Sequence, residues 1–306
     1  MGPVGRRPRT GNSIRLAHAG VTDVGRVRQD NQDDFGSVTG LHVLADGMGG
    51  HRGGEVASAE AVAATIEGFD VHTRLGLAAA VLAANRAVLI RASGDPHLTG
   101  MGTTVCALAH VVGDGGDDAL AVANVGDSRV YRFSGGRLEQ VSDDHSLVAD
   151  LMRAGELSPD EAARHPKRNI LTRALGIEAD LVVDTWELVP VAGDRYLLCS
   201  DGLVNELDDS RIARILRDKA EPEAAAVELV RSAVDAGGHD NVTVVVIDVA
   251  TAPSTLHGTG YKGTRARPER ASTLGIQDGT GAVSALAWRV GGAALALAVI
   301  LSVIVG

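Results

Sequence analysis

The stretch Leu41-His42-Val43-Leu44-Ala45-Asp46-Gly47-Met48-Gly49-Gly50-His51 carries an apolar, strand-like run straight into an aspartate followed by glycines. The same arrangement returns at distant places. Asp127 stands in Val125-Gly126-Asp127-Ser128-Arg129, Asp201 in Cys199-Ser200-Asp201-Gly202-Leu203, and Asp240 in His239-Asp240-Asn241, just ahead of Val242-Thr243-Val244-Val245-Val246. Each aspartate adjoins an apolar run and therefore projects from a strand end, where small neighbours let a cation approach the backbone. Carboxylates, carbonyls and water suit hard cations such as Mg²⁺ or Mn²⁺. A paired-metal site of this kind activates water for phosphoryl transfer. A single Asp-Gly pair reads as a turn. Four such aspartates at strand ends read as one site.

Composition narrows the function independently. Apolar residues make up 45% of the 306-residue chain and aromatics only 3%, so the core is built from small aliphatic side chains. Stacking platforms for single-stranded nucleic acid are lacking. Residues 1–15 carry Arg6, Arg7, Arg9 and Arg15 with no acid, and residues 251–306 carry five basic residues against Glu269 and Asp278. With a total of −10, residues 16–250 are net −17. So acidic a body argues against nucleic acid as a partner and suits a carboxylate cluster that binds divalent cations. Cys106 and Cys199 lie in apolar runs and read as buried free thiols in a reducing compartment.

Along the chain, residues 1–13 are rich in Gly, Pro and Arg and read as a disordered basic arm. They lack the apolar segment of a signal peptide. Strands are expected near 14–19, 41–45, 103–112, 119–125, 129–133, 137–141 and 242–249, with Ser134-Gly135-Gly136 as a hairpin turn. Apolar spacing predicts helices near 55–69, 74–93, 210–218 and 222–236, and the stretch from Ser142 to Ser146 opens another. From pattern alone the class is mixed α and β. Residues 251–289, rich in Thr, Gly, Ala, Pro and Arg, read as a linker. Residues 290–306 are apolar or small apart from Ser302, behind Trp288 and Arg289, and read as a transmembrane helix that leaves the catalytic body in the cytoplasm.

The motifs together resemble the metal-dependent protein phosphatases, the PPM or type 2C serine/threonine phosphatases. The resemblance spans roughly residues 14–250. It runs through the Thr22 to Asp33 segment, the Ala45 to His51 segment, Gly100-Met101-Gly102-Thr103-Thr104, Asn124 to Arg129, Leu198 to Leu203, and Gly238 to Thr243, in the family's order. It implies an α+β fold, a four-layer α-β-β-α sandwich of two antiparallel sheets flanked by helices, with a flap at about 145–175. It also implies direct attack by a dimetal-activated water on phosphoserine or phosphothreonine, countering serine/threonine kinases, with phosphorylated proteins, among them such kinases and their substrates, as partners, and a monomer.

By the same resemblance Asp46 bridges two Mn²⁺ or Mg²⁺ ions, the Gly47 carbonyl joins one of them, and Asp201 and Asp240 complete the other. Asp33 holds metal-bound water, and Asp127 with Asp201 binds a third, weaker ion. Arg28 holds the phosphate, its planar fork matching two phosphoryl oxygens. Gln32 stands where many members have Glu, which removes a charge near the second metal. Met48 stands where many eukaryotic members have a histidine proposed as general acid.

Competing chemistries fare worse. A cysteine phosphatase carries an arginine at the sixth position after its nucleophile, and those positions here are Asn205 and Val112. Gly260-Tyr261-Lys262 lacks the glycine before lysine of a phosphate-cradling loop. His51, His145, His165 and His239 read as turn or surface residues. A phosphatase-like domain that binds phosphoproteins without turnover is the alternative, disfavoured because only Gln32 departs from the ligand set.

Overall fold

The computed structural model describes residues 14–49, 53–251 and 269–271. In chain order the strands are β1 (Ile14–Asp23), β2 (Asp33–Val38), β3 (Leu41–Met48), β4 (Gly102–Thr103), β5 (Val105–Val112), β6 (Asp118–Val125), β7 (Arg129–Ser134), β8 (Arg137–Gln140), β9 (Val183–Leu188), β10 (Arg195–Cys199), β11 (Val242–Thr251) and β12 (Glu269–Ala271). The α-helices are α1 (Gly53–Gly68), α2 (Arg74–Ser93), α3 (Leu147–Arg153), α4 (Pro159–Ala163), α5 (Asp201–Val204), α6 (Asp209–Asp218) and α7 (Pro222–Ala236).

Strand alternation builds three apolar layers. Val43 and Ala45 face one way from β3 and Leu44 the other; Ala107 and Ala109 oppose Cys106 and Leu108 on β5; Ala121 and Ala123 oppose Leu120 and Val122 on β6. The alanine-rich face meets α1 and α2 through Ala57, Ala61, Leu77, Val81 and Ala84. Small side chains there let the helices sit close to the sheet. The opposite face, with Leu44, Leu108, Leu120 and Trp186, packs against Tyr196, Leu198, Val245 and Ile247 of a second sheet. That sheet's outer face, Leu197, Cys199, Val244 and Val246, lies under Ile212, Leu216, Leu229 and Ala233 of α6 and α7. Truncating a buried leucine of the middle layer, such as Leu120→Ala, costs about 2–5 kcal/mol.

Among the described residues the sheets run β1-β11-β10-β7-β8 and β12-β9-β6-β5-β3-β2, with β4 added to β3, and every pairing is antiparallel. This is the expected α-β-β-α sandwich. Gly135 and Gly136, both at positive φ, close the β7–β8 hairpin between Ser134 and Arg137. Such a backbone matches the strands' right-handed twist.

Several boundaries differ from the sequence reading. The 103–112 run is broken at Thr104, whose amide and hydroxyl are engaged by Asp46. Strands β2 and β9 escaped the pattern altogether, and β10 was read only as the apolar run ahead of Asp201. β2 contains Asp33, Asp34 and Gly36, and β9 hides its alternation behind buried Asp184 and Thr185. Within the stretch read as linker, β12 pairs with β9. The basic arm 1–13 and the membrane helix expected at 290–306 lie outside the described residues. Helix α2 is long and apolar, but it packs on the seven-stranded sheet rather than standing alone.

Candidate active site

Strand register sets the first pair of carboxylates: Asp33 of β2 lies opposite Asp46 of β3. The backbone of Asp46 is held on both sides. Its amide donates to Thr104 Oγ1 (2.9 Å), and its carbonyl accepts from Thr104 N (2.9 Å) and Thr103 Oγ1 (2.9 Å). Thr104 Oγ1 also meets Ser128 Oγ at 2.7 Å, which ties Asp46 to the turn carrying Asp127. Asp201 opens α5 directly after β10, and Asn205 Nδ2 donates to its Oδ2 at 3.1 Å. Asp240 precedes β11; its Oδ1 accepts from Asn241 N at 2.8 Å and its Oδ2 from Arg28 Nη2 at 2.7 Å.

Asp33 is anchored on one oxygen only. Ser200 Oγ donates to Oδ2 at 2.8 Å, while the buried Oδ1 has no hydrogen-bond partner. Burial pushes Asp33 up to about 7, against the pull of the Thr243 and Ser200 hydroxyls. Asp46 is driven well above the usual carboxylate range by burial and then by Asp33, Asp201, Asp127 and Asp240. Burial, then Asp201 and Asp144, lift Asp127 to about 7; burial and Asp240 lift Asp201 to about 6. The cause is common to all four. Carboxylates taken out of water beside one another resist ionisation unless a cation joins them.

The donor set fits hard divalent cations. Among the described residues no three acidic, imidazole or thiol groups form a ready-made cage around one point. Ions that keep several waters need no such cage. The backbone is also cleared for them at Gly47, where a Cβ would lie 2.1 Å from the Gly54 carbonyl oxygen and 2.6 Å from that of Gln32. The structure thus brings Asp33, Asp46, Gly47, Asp127, Asp201, Asp240 and Arg28 together at one end of the two sheets.

Three supporting residues were not singled out from sequence. Asn241 donates through Nδ2 to the carbonyls of Val24 and Asp30, both at 3.0 Å, and accepts from Gln32 N at 2.9 Å, fastening the Arg28 loop to β11. Ser200 couples Asp33 to the Thr243 amide. His145, read as a turn or surface residue, is buried against Gly126 and Asp184. Its place in Asp144-His145-Ser146, ahead of the Ser146-capped α3, gave no periodic signal. Gln32 turns its amide to the Gly49 carbonyl at 3.4 Å. His239 pairs with Glu206, and His51 lies outside the described residues.

The sequence profile of the family described as "Protein phosphatase 2C" matches residues 22–232. The chain belongs to that family. A serine/threonine phosphatase, stp, of Listeria monocytogenes is 37% identical over 240 residues, covering 74% of this chain and 93% of the relative. The crystal structure of the Mycobacterium tuberculosis serine/threonine phosphatase PstP/Ppp superposes with a TM-score of 0.70 at 39% identity, over 77% of this chain and 99% of that one. The catalytic domain of PstP in complex with two manganese ions gives 0.68 at 38% identity, over 78% and 100%. The matched span holds Asp33, Asp46, Asp127 and Asp201, and Asp240 with β11 lies just beyond it.

Proposed function

We propose that this chain is a metal-dependent protein serine/threonine phosphatase, hydrolysing phosphoserine and phosphothreonine by direct attack of water. The observation that carries it is the convergence of Asp33, Asp46, Asp127, Asp201 and Asp240 from five separate segments, with Arg28 at their edge. Support comes also from the serine/threonine phosphatases it resembles, one of them with two manganese ions.

Asp46, the Gly47 carbonyl, Asp201 and Asp240 would hold two Mn²⁺ or Mg²⁺ ions, and Asp127 with Asp201 a third, weaker one. Bound there, such ions lower the pKa of water toward neutrality and neutralise phosphoryl oxygens. The free Oδ1 of Asp33 would accept a hydrogen bond from the attacking water. Ser200 keeps that carboxylate from turning away. Arg28 sits half exposed at the rim, its fork offering further donors to two phosphoryl oxygens beyond the one given to Asp240.

Phosphorylated proteins, including serine/threonine kinases and their substrates, are the proposed partners. The segment 290–306 is proposed as a membrane anchor on the strength of its apolar length and its Trp288-Arg289 border. Carbonate washing of membranes from cells making the full chain tests the anchor; release into the wash would refute it.

The function is tested by phosphate release from a phosphothreonine peptide with Mn²⁺, with EDTA, and with the Asp201→Asn protein. Metal-dependent release that falls at least about 100-fold in the variant is expected. A folded wild-type protein with no turnover in any metal would point instead to phosphoprotein binding.

A further inference from the structure

Gly126 and His145 hold each other through two hydrogen bonds. The Gly126 amide donates to His145 Nδ1 at 3.0 Å, and the His145 amide donates to the Gly126 carbonyl at 2.9 Å. A backbone N–H can only donate, so Nδ1 carries the lone pair and the ring proton sits on Nε2. There it faces Asp184 Oδ2 at 3.2 Å. Asp184, on β9, is fixed in turn by Arg173 Nη1 at 2.8 Å. His145 is 1% exposed, so no water competes for either nitrogen.

Gly126 matters because of its neighbour. It stands at φ +105°, a conformation that favours glycine, and a Cβ there would lie 2.5 Å from Thr104 Cγ2. Asp127 follows immediately. The direction in which the Asp127 carboxylate leaves the turn is therefore set by the Gly126 peptide, and that peptide is held by the imidazole.

We propose that His145 is a positioning residue for Asp127, acting as the neutral Nε2–H tautomer that Asp184 selects. This rests on the reading of Asp127 as a ligand of the weaker cation. The imidazole touches neither substrate nor metal. It fixes the Gly126 peptide through Nδ1, and Asp184 with Arg173 fixes the imidazole, so the flap boundary at His145 and the carboxylate at Asp127 share one hydrogen-bonded chain. An outer partner that orients a metal ligand in this way is worth about 10- to 100-fold in metal affinity.

The test separates the two ring nitrogens. Histidine ¹⁵N NMR on the full wild-type chain without metal should show His145 bare at Nδ1 and protonated at Nε2; a proton on Nδ1 overturns the proposal. Mn²⁺ calorimetry is then run on wild type, His145→Asn, His145→Gln and Asp184→Asn. Asparagine keeps an acceptor where Nδ1 stood and should retain the weaker class of site. Glutamine keeps only the position of Nε2 and should weaken that class about 10- to 100-fold while the tighter class is unchanged. Asp184→Asn, which lets the other tautomer form, should do the same without altering the imidazole. Folded Gln and Asp184→Asn proteins with wild-type isotherms overturn the proposal. If His145→Gln does not fold, Asp184→Asn and the wild-type tautomer decide it. A wild type with a single class of Mn²⁺ site removes the premise about Asp127 and overturns it by that route, while phosphatase activity stays intact.

Discussion

Ser200 Oγ donates to Asp33 Oδ2 at 2.8 Å and accepts from the Thr243 amide at 3.0 Å, so one hydroxyl joins the β2 carboxylate to the β11 backbone. Both partners are buried. Ser200→Ala leaves the Thr243 amide unpaired and takes one donor from the buried carboxylate, a loss of about 1–3 kcal/mol. The melting temperature should fall by roughly 2–10 °C. Loss of a donor to the ionised carboxylate also raises its pKa further, so the activity profile should move to higher pH. Circular-dichroism melts and a pH–rate profile check both.

The raised carboxylates make the metal-free protein sensitive to alkali. Asp33 and Asp127 at about 7 and Asp201 at about 6 bind protons that the unfolded chain has already released above the ordinary aspartate range. The folded state then holds more protons, and stability falls as pH rises from about 4 to about 7. With EDTA the protein should melt higher at pH 5 than at pH 8. Mn²⁺ should reverse that order, because it satisfies the ionised forms. Equal melting temperatures at both pH values under EDTA would contradict the electrostatics of the site.

Arg28→Lys keeps the charge and removes the fork. Lysine presents a point charge and cannot span two phosphoryl oxygens. kcat/KM on a phosphothreonine peptide should drop about tenfold or more, corresponding to about 1.4 kcal/mol or more. Tight Mn²⁺ binding should be unchanged. An unaltered kcat/KM would remove Arg28 from substrate binding.

Gly47→Ala places a methyl group 2.1 Å from the Gly54 carbonyl oxygen, and backbone rather than a flexible side chain must move. Overpacking of this kind costs about 1–3 kcal/mol. Because the shift displaces the carbonyl next to Asp46, Mn²⁺ affinity by calorimetry should fall together with the melting temperature.

Elements with a clean period were legible in the sequence. Helices α2 and α7 fall where the apolar spacing placed them, and the Gly135-Gly136 turn closes its hairpin as expected. Strands β2 and β9 were not legible, because Asp33, Asp184 and Thr185 spend strand positions on buried polar contacts that erase the apolar alternation. The layered order of the sheets came from resemblance, since residues 14 and 251 pair across nearly the whole described chain and no local pattern announces it. The aspartates at strand ends could be read as a set. What holds them could not: Asn241, Ser200 and His145 act through single hydrogen bonds to distant segments, and such contacts leave no periodicity.

Strand β11 lies between β1 and β10, so the last long strand of the domain is an interior one, and Asp240 arrives just before it. A chain that has not yet reached residue 242 lacks the strand that joins β1 to β10 and the Thr243 amide that donates to Ser200. Closure of this sheet must wait for pairings of very large sequence separation, which are slow to form. The strand that closes the five-stranded sheet is therefore delivered together with Asp240, the last carboxylate of the site in chain order.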